Sequence, residues 1–102
     1  MASVIRATTP TVTYKFNVID VADIVTAYLT IKQSGSTIIE KDLSDATVGE
    51  DSLAWEFTQE ETLLMRQGKI SFMLNWKMVD GTRGASEKSV VVIEDNYKDE
   101  VI

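Results

Sequence analysis

The sequence predicts an all-β protein, a small antiparallel β-sandwich of about six to seven strands with one short helix before its longest strand. Three observations predict it. "TVTYKFNV" (11–18) and "GKISFMLNWKM" (68–78) alternate apolar and polar residues with the period of a half-buried strand. Short turn signals, Ser34-Gly35 and Asp80-Gly81, separate such runs. One segment, "TQEETLLMRQG", abandons the alternation for a helical start signal.

In the first run Val12, Tyr14, Phe16 and Val18 share a face, and Pro10 before it suits a strand start or an edge. "IDVADI" (19–24) breaks the pattern and reads as a connection with one helical turn starting at Asp20. "VTAYLTIK" (25–32) resumes alternation, with Val25, Ala27, Leu29 and Ile31 expected inward. Ser34-Gly35 then turns the chain into "TIIEKDL" (37–43) as an antiparallel neighbour. "SDATVGED" (44–51) reads as a loop or as a short extra strand around Ala46–Val48. "SLAWEF" (52–57) puts Leu53, Trp55 and Phe57 on one face. Thr58 with Glu61 forms a capping-box signature, so a helix is expected from Gln59 to Gln67, with Gly68 as its C′ residue. In the long strand Ile70, Phe72, Leu74, Trp76 and Met78 face one way. Asp80-Gly81 turns the chain, and "GTRG" (81–84) reads as a flexible hairpin end. "KSVVVIED" (88–95) closes the domain, its unbroken Val90–Ile93 run expected to be buried on both faces.

Two sheets packed face to face bury all these faces, an Ig-like arrangement. The predicted core joins Phe72, Leu74 and Trp76 to Tyr14, Phe16, Leu29, Trp55 and Val90 or Val92. The organisation is an N-terminal arm (1–10), a sandwich (11–95) and a C-terminal tail (96–102).

Composition limits function. The chain has 102 residues, enough for one modest core. It has no His and no Cys, so the commonest general base, the commonest transition-metal ligand and all thiol chemistry are missing. The net charge of −6 argues against binding a phosphate backbone and suits either solubility or a basic protein partner. "MASVIRATTPTV" has no long apolar run, so no signal peptide is expected, and no segment has the length of a membrane span.

Chemical motifs are weak. Asp42, Asp45, Glu50 and Asp51 do not have calcium-loop spacing, and a solvated loop is the simpler reading. Glu60 and Glu61 are adjacent and suit capping rather than paired acid/base work. "SEK" (86–88) lacks Ser-x-x-Lys spacing, and Gly81 and Gly84 have no phosphate-loop context. Trp55 and Trp76 read as core. Met73 is apolar on a polar face, between Ser71 and Asn75; with Met65 and Met78 it reads either as a contact surface or as filling under the helix. The ends are β-prone, "SVIRATTPT" with no evident local partner and "NYKDEVI" ending in an apolar pair. Such segments can add to a neighbour's sheet edge. The candidate interface residues are therefore Val4, Ile5, Arg6, Thr8, Thr9 and Pro10 in the arm, Met73, and Tyr97, Val101 and Ile102 in the tail.

Three short blocks carry a resemblance: "IRATTPT" (5–11), "TQEET" (58–62) and "KDEVI" (98–102). They resemble segments of small virion structural proteins of tailed bacteriophages and prophages of gut Gram-positive bacteria. In that group the last block reads Lys-Asp-Gly-x-Ile; here Glu100 stands in place of the glycine. The layout is also similar to the N-terminal β-sandwich of phage baseplate upper proteins. The resemblance implies a non-enzymatic virion part without cofactor, made in the bacterial host cytoplasm. Its partners would be other phage structural proteins and further copies of itself, with no nucleic acid and no membrane. It does not specify capsid, collar, tail or baseplate. The alternative is an Ig-like binding module displayed on the virion for a host glycan or protein.

Overall fold

The alternations become two stacked sheets in the computed structural model, which describes residues 3–102. Met1 and Ala2, part of the expected arm, lie outside the described residues. In chain order the strands are β1 (Ser3–Ile5), β2 (Thr11–Lys15), β3 (Ile24–Gln33), β4 (Ser36–Asp42), β5 (Thr47–Val48), β6 (Ser52–Glu56), β7 (Gly68–Met78), β8 (Arg83–Ala85) and β9 (Ser89–Glu94). One α-helix, α1 (Gln59–Leu63), precedes β7, and 3-10 turns occupy Val21–Asp23 and Leu43–Asp45. The larger sheet runs β1-β9-β7-β3-β4, with β8 also on β7; the smaller runs β2-β6-β5. Among the described residues nine strands replace the six to seven expected, because three are only two or three residues long.

The core is the one the alternation predicts, with two corrections. Leu29, Leu53, Trp55 and Leu74 are wholly buried. Tyr14 meets Phe72 and Trp55 edge-to-face, each at 6.4 Å, and Phe16 meets Trp76 at 5.3 Å. The first correction concerns β9. Val91 and Ile93 face the core in place of the expected Val90 or Val92; Val90 is 42% exposed, so the run is not buried on both sides. The second concerns β3. Register slips between Ile24 and Thr26, leaving Val25 without a partner on β7. This bulge turns Val25 outward and lets Ile24 and Ala27 both reach the core.

Local signals explain most element ends. Asp20 caps the first 3-10 turn by accepting from the Ala22 N–H. Thr58 and Glu61 form the expected reciprocal capping box. Ser34 and Gly35 both take positive φ, the two-residue turn that matches hairpin twist. Strand β2 stops at Lys15 rather than Val18, which is 99% exposed.

The helix is shorter than predicted because other groups claim its backbone. The buried Gln33 amide donates to the Arg66 carbonyl at 2.6 Å and accepts the Arg66 N–H at 2.7 Å. The Arg6 guanidinium takes the carbonyls of Leu63 and Met65 at 2.8 and 2.7 Å. The helix therefore ends at Leu63, and Gly68 opens β7 instead of capping α1. Lys41 points inward from β4, 4.9 Å from the Phe57 ring centroid, and pairs with Glu61 at 2.9 Å, tying α1 to the larger sheet.

"GTRG" is not a flexible end. Arg83–Ala85 forms β8 against Lys77–Asn75, and Gly84 lies flat on the Trp76 indole. A Cβ there would fall 2.5 Å from the ring. Gly84→Val is expected to destabilise by about 1–3 kcal/mol through overpacking, read as a lower urea midpoint. An unchanged midpoint would show that Trp76 can move aside.

Candidate binding site at the open edge of the small sheet

The two sheets differ in width, and the difference creates a slot. The Tyr14 and Phe16 contacts set β2 over β7. The Trp55 indole N–H donates to the Asp42 carbonyl at 2.9 Å, setting β6 toward β4. The larger sheet continues past β7 to β9 and β1, but the smaller one ends at β2. No strand of the smaller sheet therefore covers β9 and β1.

A crevice of about 370 Å³ occupies that gap. Val4, Ile70, Phe72 and Val91 line its larger-sheet side, and Phe57 and Met65 close one end. The opposite wall is β2 itself, from Thr11 to Tyr14. The lining is predominantly apolar, as ligand and peptide clefts are.

The wall also carries unpaired backbone groups. The Phe57 N–H donates to the Pro10 carbonyl at 2.9 Å, and the Phe16 N–H donates to the Asp51 carbonyl at 2.8 Å. Antiparallel pairing alternates, so Val12 and Tyr14, opposite Trp55 and Leu53, also turn their backbone groups toward β6. The N–H and C=O groups of Thr11, Thr13 and Lys15 then point the other way, into the gap. No other strand pairs with them among the described residues.

Tyr14 adds a polar irregularity. Its hydroxyl is buried and has no hydrogen-bond partner among the described residues. The nearby Ser86 hydroxyl is engaged by the Leu74 N–H and the Glu87 carbonyl, at 2.9 and 3.0 Å. Burial pushes the Tyr14 pKa up, and the Ser86 dipole opposes the shift only in part.

The arm and tail fold back onto their own chain, so the arm does have a local partner. Strand β1 pairs parallel with β9, Val4 opposite Ile93, which makes the larger sheet mixed rather than purely antiparallel. Arg6 also pairs with Asp99 in the tail, and the Arg6 carbonyl accepts from the Asn96 amide at 2.8 Å. Thr8 donates to the Ile5 carbonyl, and its own carbonyl accepts from the buried Thr62 hydroxyl at 2.8 Å. The Ile102 N–H donates to the Gln59 side chain at 2.8 Å.

Of the sequence-derived interface residues, the structure brings Val4 and Pro10 together at the crevice. Ile5 and Thr9 are exposed beside it. Arg6 and Thr8 act as internal fasteners. Met73 stands on the far face of β7, and Tyr97, Val101 and Ile102 are exposed on the tail. Sequence reasoning missed the β2 edge and Tyr14 as site features. The available signal was the polar series Thr11, Thr13, Lys15, which marks the residues now found at the edge.

No family model matches the chain, and no curated protein matches it in sequence. Solved structures similar in fold include the following two. CopC from Methylosinus trichosporium OB3b aligns at 14% identity over 96% of this chain and 89% of that one, with a TM-score of 0.60. A glycoside hydrolase candidate from Bacteroides vulgatus aligns at 12% identity over 96% of this chain, with a TM-score of 0.58. There the match takes in only 17% of the longer chain. Identities this low carry the fold alone. The chain is a CopC-like, Ig-like β-sandwich of a six-stranded and a three-stranded sheet. Among the described residues no cluster of three acidic, His or Cys side chains has metal-site geometry.

Two outcomes follow from this geometry. Arg6→Ala strips two carbonyls of their donor, which is expected to destabilise by about 1–3 kcal/mol. Limited proteolysis should then cut within Arg6–Pro10; equal resistance to the native chain would refute the fastening role. Tyr14→Phe removes an unpartnered buried hydroxyl and should raise stability by up to about 1 kcal/mol. A raised pKa means the folded state holds the phenolic proton more tightly. That contribution is present below the ordinary tyrosine value of about 10 and is lost as pH climbs through the folded value. The native chain should lose stability there, and Tyr14→Phe should lose less, as judged by urea melts across alkaline pH.

Proposed function

We propose that the protein is a non-enzymatic bacteriophage virion structural part that assembles by accepting an extended segment of another virion subunit at the β2 edge. The single observation that carries the reading is that edge: a row of unpaired N–H and C=O groups bordering an apolar slot. A strand laid beside β2 gains backbone hydrogen bonds from Thr11, Thr13 and Lys15. Its alternate side chains drop over Val4, Phe72 and Val91. This is strand addition, with affinity from the backbone and specificity from the slot.

The slot favours a lone segment over a second folded sheet. Two copies pairing β2 with β2 about a two-fold axis would carry both larger sheets on the same side. Both sheets overhang the junction and would collide. Self-association through this edge would require the neighbour's arm or tail to leave its own chain, so a segment of a different subunit is the better occupant. The virion assignment rests on the three sequence blocks. The docked arm and tail shift the point of assembly from the chain ends to the sheet edge.

The test is Thr13→Pro. Proline removes one edge N–H, and at a strand edge it leaves the internal ladder intact. Virions purified by gradient sedimentation should carry the native chain and lack the Thr13→Pro chain, whose melting temperature should be unchanged. Virions that lack the native chain would sink the structural reading. Equal incorporation of the two would sink the β2 mechanism.

A further inference from the structure

The outer face of the larger sheet is a separate surface, and its charge opposes that of the molecule. The chain carries −6 overall, with ten cationic residues. Lys32, Lys69, Lys77, Arg83 and Lys88 gather on or beside this face and are all exposed. Tyr28, 46% exposed, stands among them. Of the acidic side chains, Glu94 ends β9, while Glu40 and Asp42 stand on the edge strand β4 opposite Thr30 and Tyr28; Glu40 is held by the Thr30 hydroxyl at 3.1 Å and Asp42 caps a 3-10 turn.

Two hollows indent this face along β7. One, of about 210 Å³, is lined by Thr26, Tyr28, Asn75, Lys77 and Arg83. The other, of about 240 Å³, is lined by Thr30, Lys32, Met73, Asn75 and Lys88 among others. Asn75 belongs to both, and its side-chain amide oxygen Oδ1 accepts from the Arg83 guanidinium at 3.2 Å, fixing that side chain beside the first hollow. Each hollow thus has two cations at its rim. Their centres are separated by roughly three residues of extended chain, on the order of 10 Å.

We propose that this face docks an acidic segment of a partner protein, extended along β7, with a carboxylate entering each hollow. Charge complementarity selects the partner: paired cations receive carboxylates, and Tyr28 and Met73 supply apolar contact between them. A nucleic acid fits less well. Its affinity needs a continuous cationic track, and the overall negative charge of the chain repels a long polyanion. The inference does not draw on the β2 edge, which opens on the other side of the larger sheet.

The experiment is fluorescence anisotropy at low salt with a fluorescein-labelled peptide of Gly-Ser-Glu repeats. A Gly-Ser-Gln peptide and a short single-stranded DNA serve as comparisons. The native chain should bind the Glu peptide alone. Lys77→Gln with Arg83→Gln, and separately Lys32→Gln with Lys88→Gln, should each weaken binding about tenfold. Asn17→Asp with Val18→Asp makes the same change in net charge on an exposed loop and should leave binding unaltered. Absence of binding to the Glu peptide, equal weakening by the loop pair, or tighter binding of the DNA would each overturn the proposal. Melting temperatures of the surface variants near that of the native chain keep the comparison clean.

Discussion

The rest of the structure depends on the aromatic contact between β2 and β7. Tyr14 and Phe16 reach across the interface and meet Phe72 and Trp76 edge-to-face. Such pairs require ring centroids within a narrow distance range, so they fix where the small sheet sits on the large one. Once β2 is held over β7, β6 falls toward β4, where the Trp55 indole finds the Asp42 carbonyl. The small sheet has no further strand to give. Its open edge and the uncovered strands β9 and β1 follow from that single placement.

The arm and tail solve the problem the overhang creates. An uncovered β9 would present Val91 and Ile93 to water. Met65 and Val4 come in from either side, and Ile93 is left 1% exposed. Arg6 makes this closure hold. One guanidinium satisfies two carbonyls, of the last helical residue Leu63 and of Met65 just beyond it, and also pairs with Asp99. A planar, multi-donor group suits this task better than an ammonium would. The closure is partial, and the remaining space is the crevice.

The sandwich was legible in the sequence wherever alternation was strict. Residues 70–78 declared their inner face without ambiguity, and the partners Tyr14, Phe16, Leu29 and Trp55 were read correctly. What failed was whatever depends on register or on groups distant in sequence. The bulge at Val25 leaves no trace in a pattern that looks regular through it. The Val90–Ile93 run is apolar at every position, so period alone does not say which pair faces inward. The helix end was misjudged because Gln33 and Arg6, remote in the chain, take over its backbone. Gly84 looked like freedom and is instead close packing against Trp76. At the candidate site, Val4 and Pro10 were visible as arm residues. The edge role of Thr11 and Thr13 was not, since it depends on which neighbour β2 lacks.

The edge strands among the described residues (β1, β4, β8, β2 and β5) are not equivalent, and the difference favours β2 as the receiving one. Natural sheets blunt their edges with short strands, bulges and charge. Strand β5 has two residues, and β1 and β8 have three each, too few to template a partner. Strand β4 is longer, but Ile38 is squeezed out of register there, and Glu40, Lys41 and Asp42 follow. Strand β2 has five residues and regular pairing throughout, with Lys15 its only charge. It also borders the crevice, which supplies the apolar burial that a bare edge lacks. An edge left unguarded beside a ready-made slot is a hazard in a monomer that never meets a partner. In a subunit that must capture an extended segment, the same edge is the feature that permits capture.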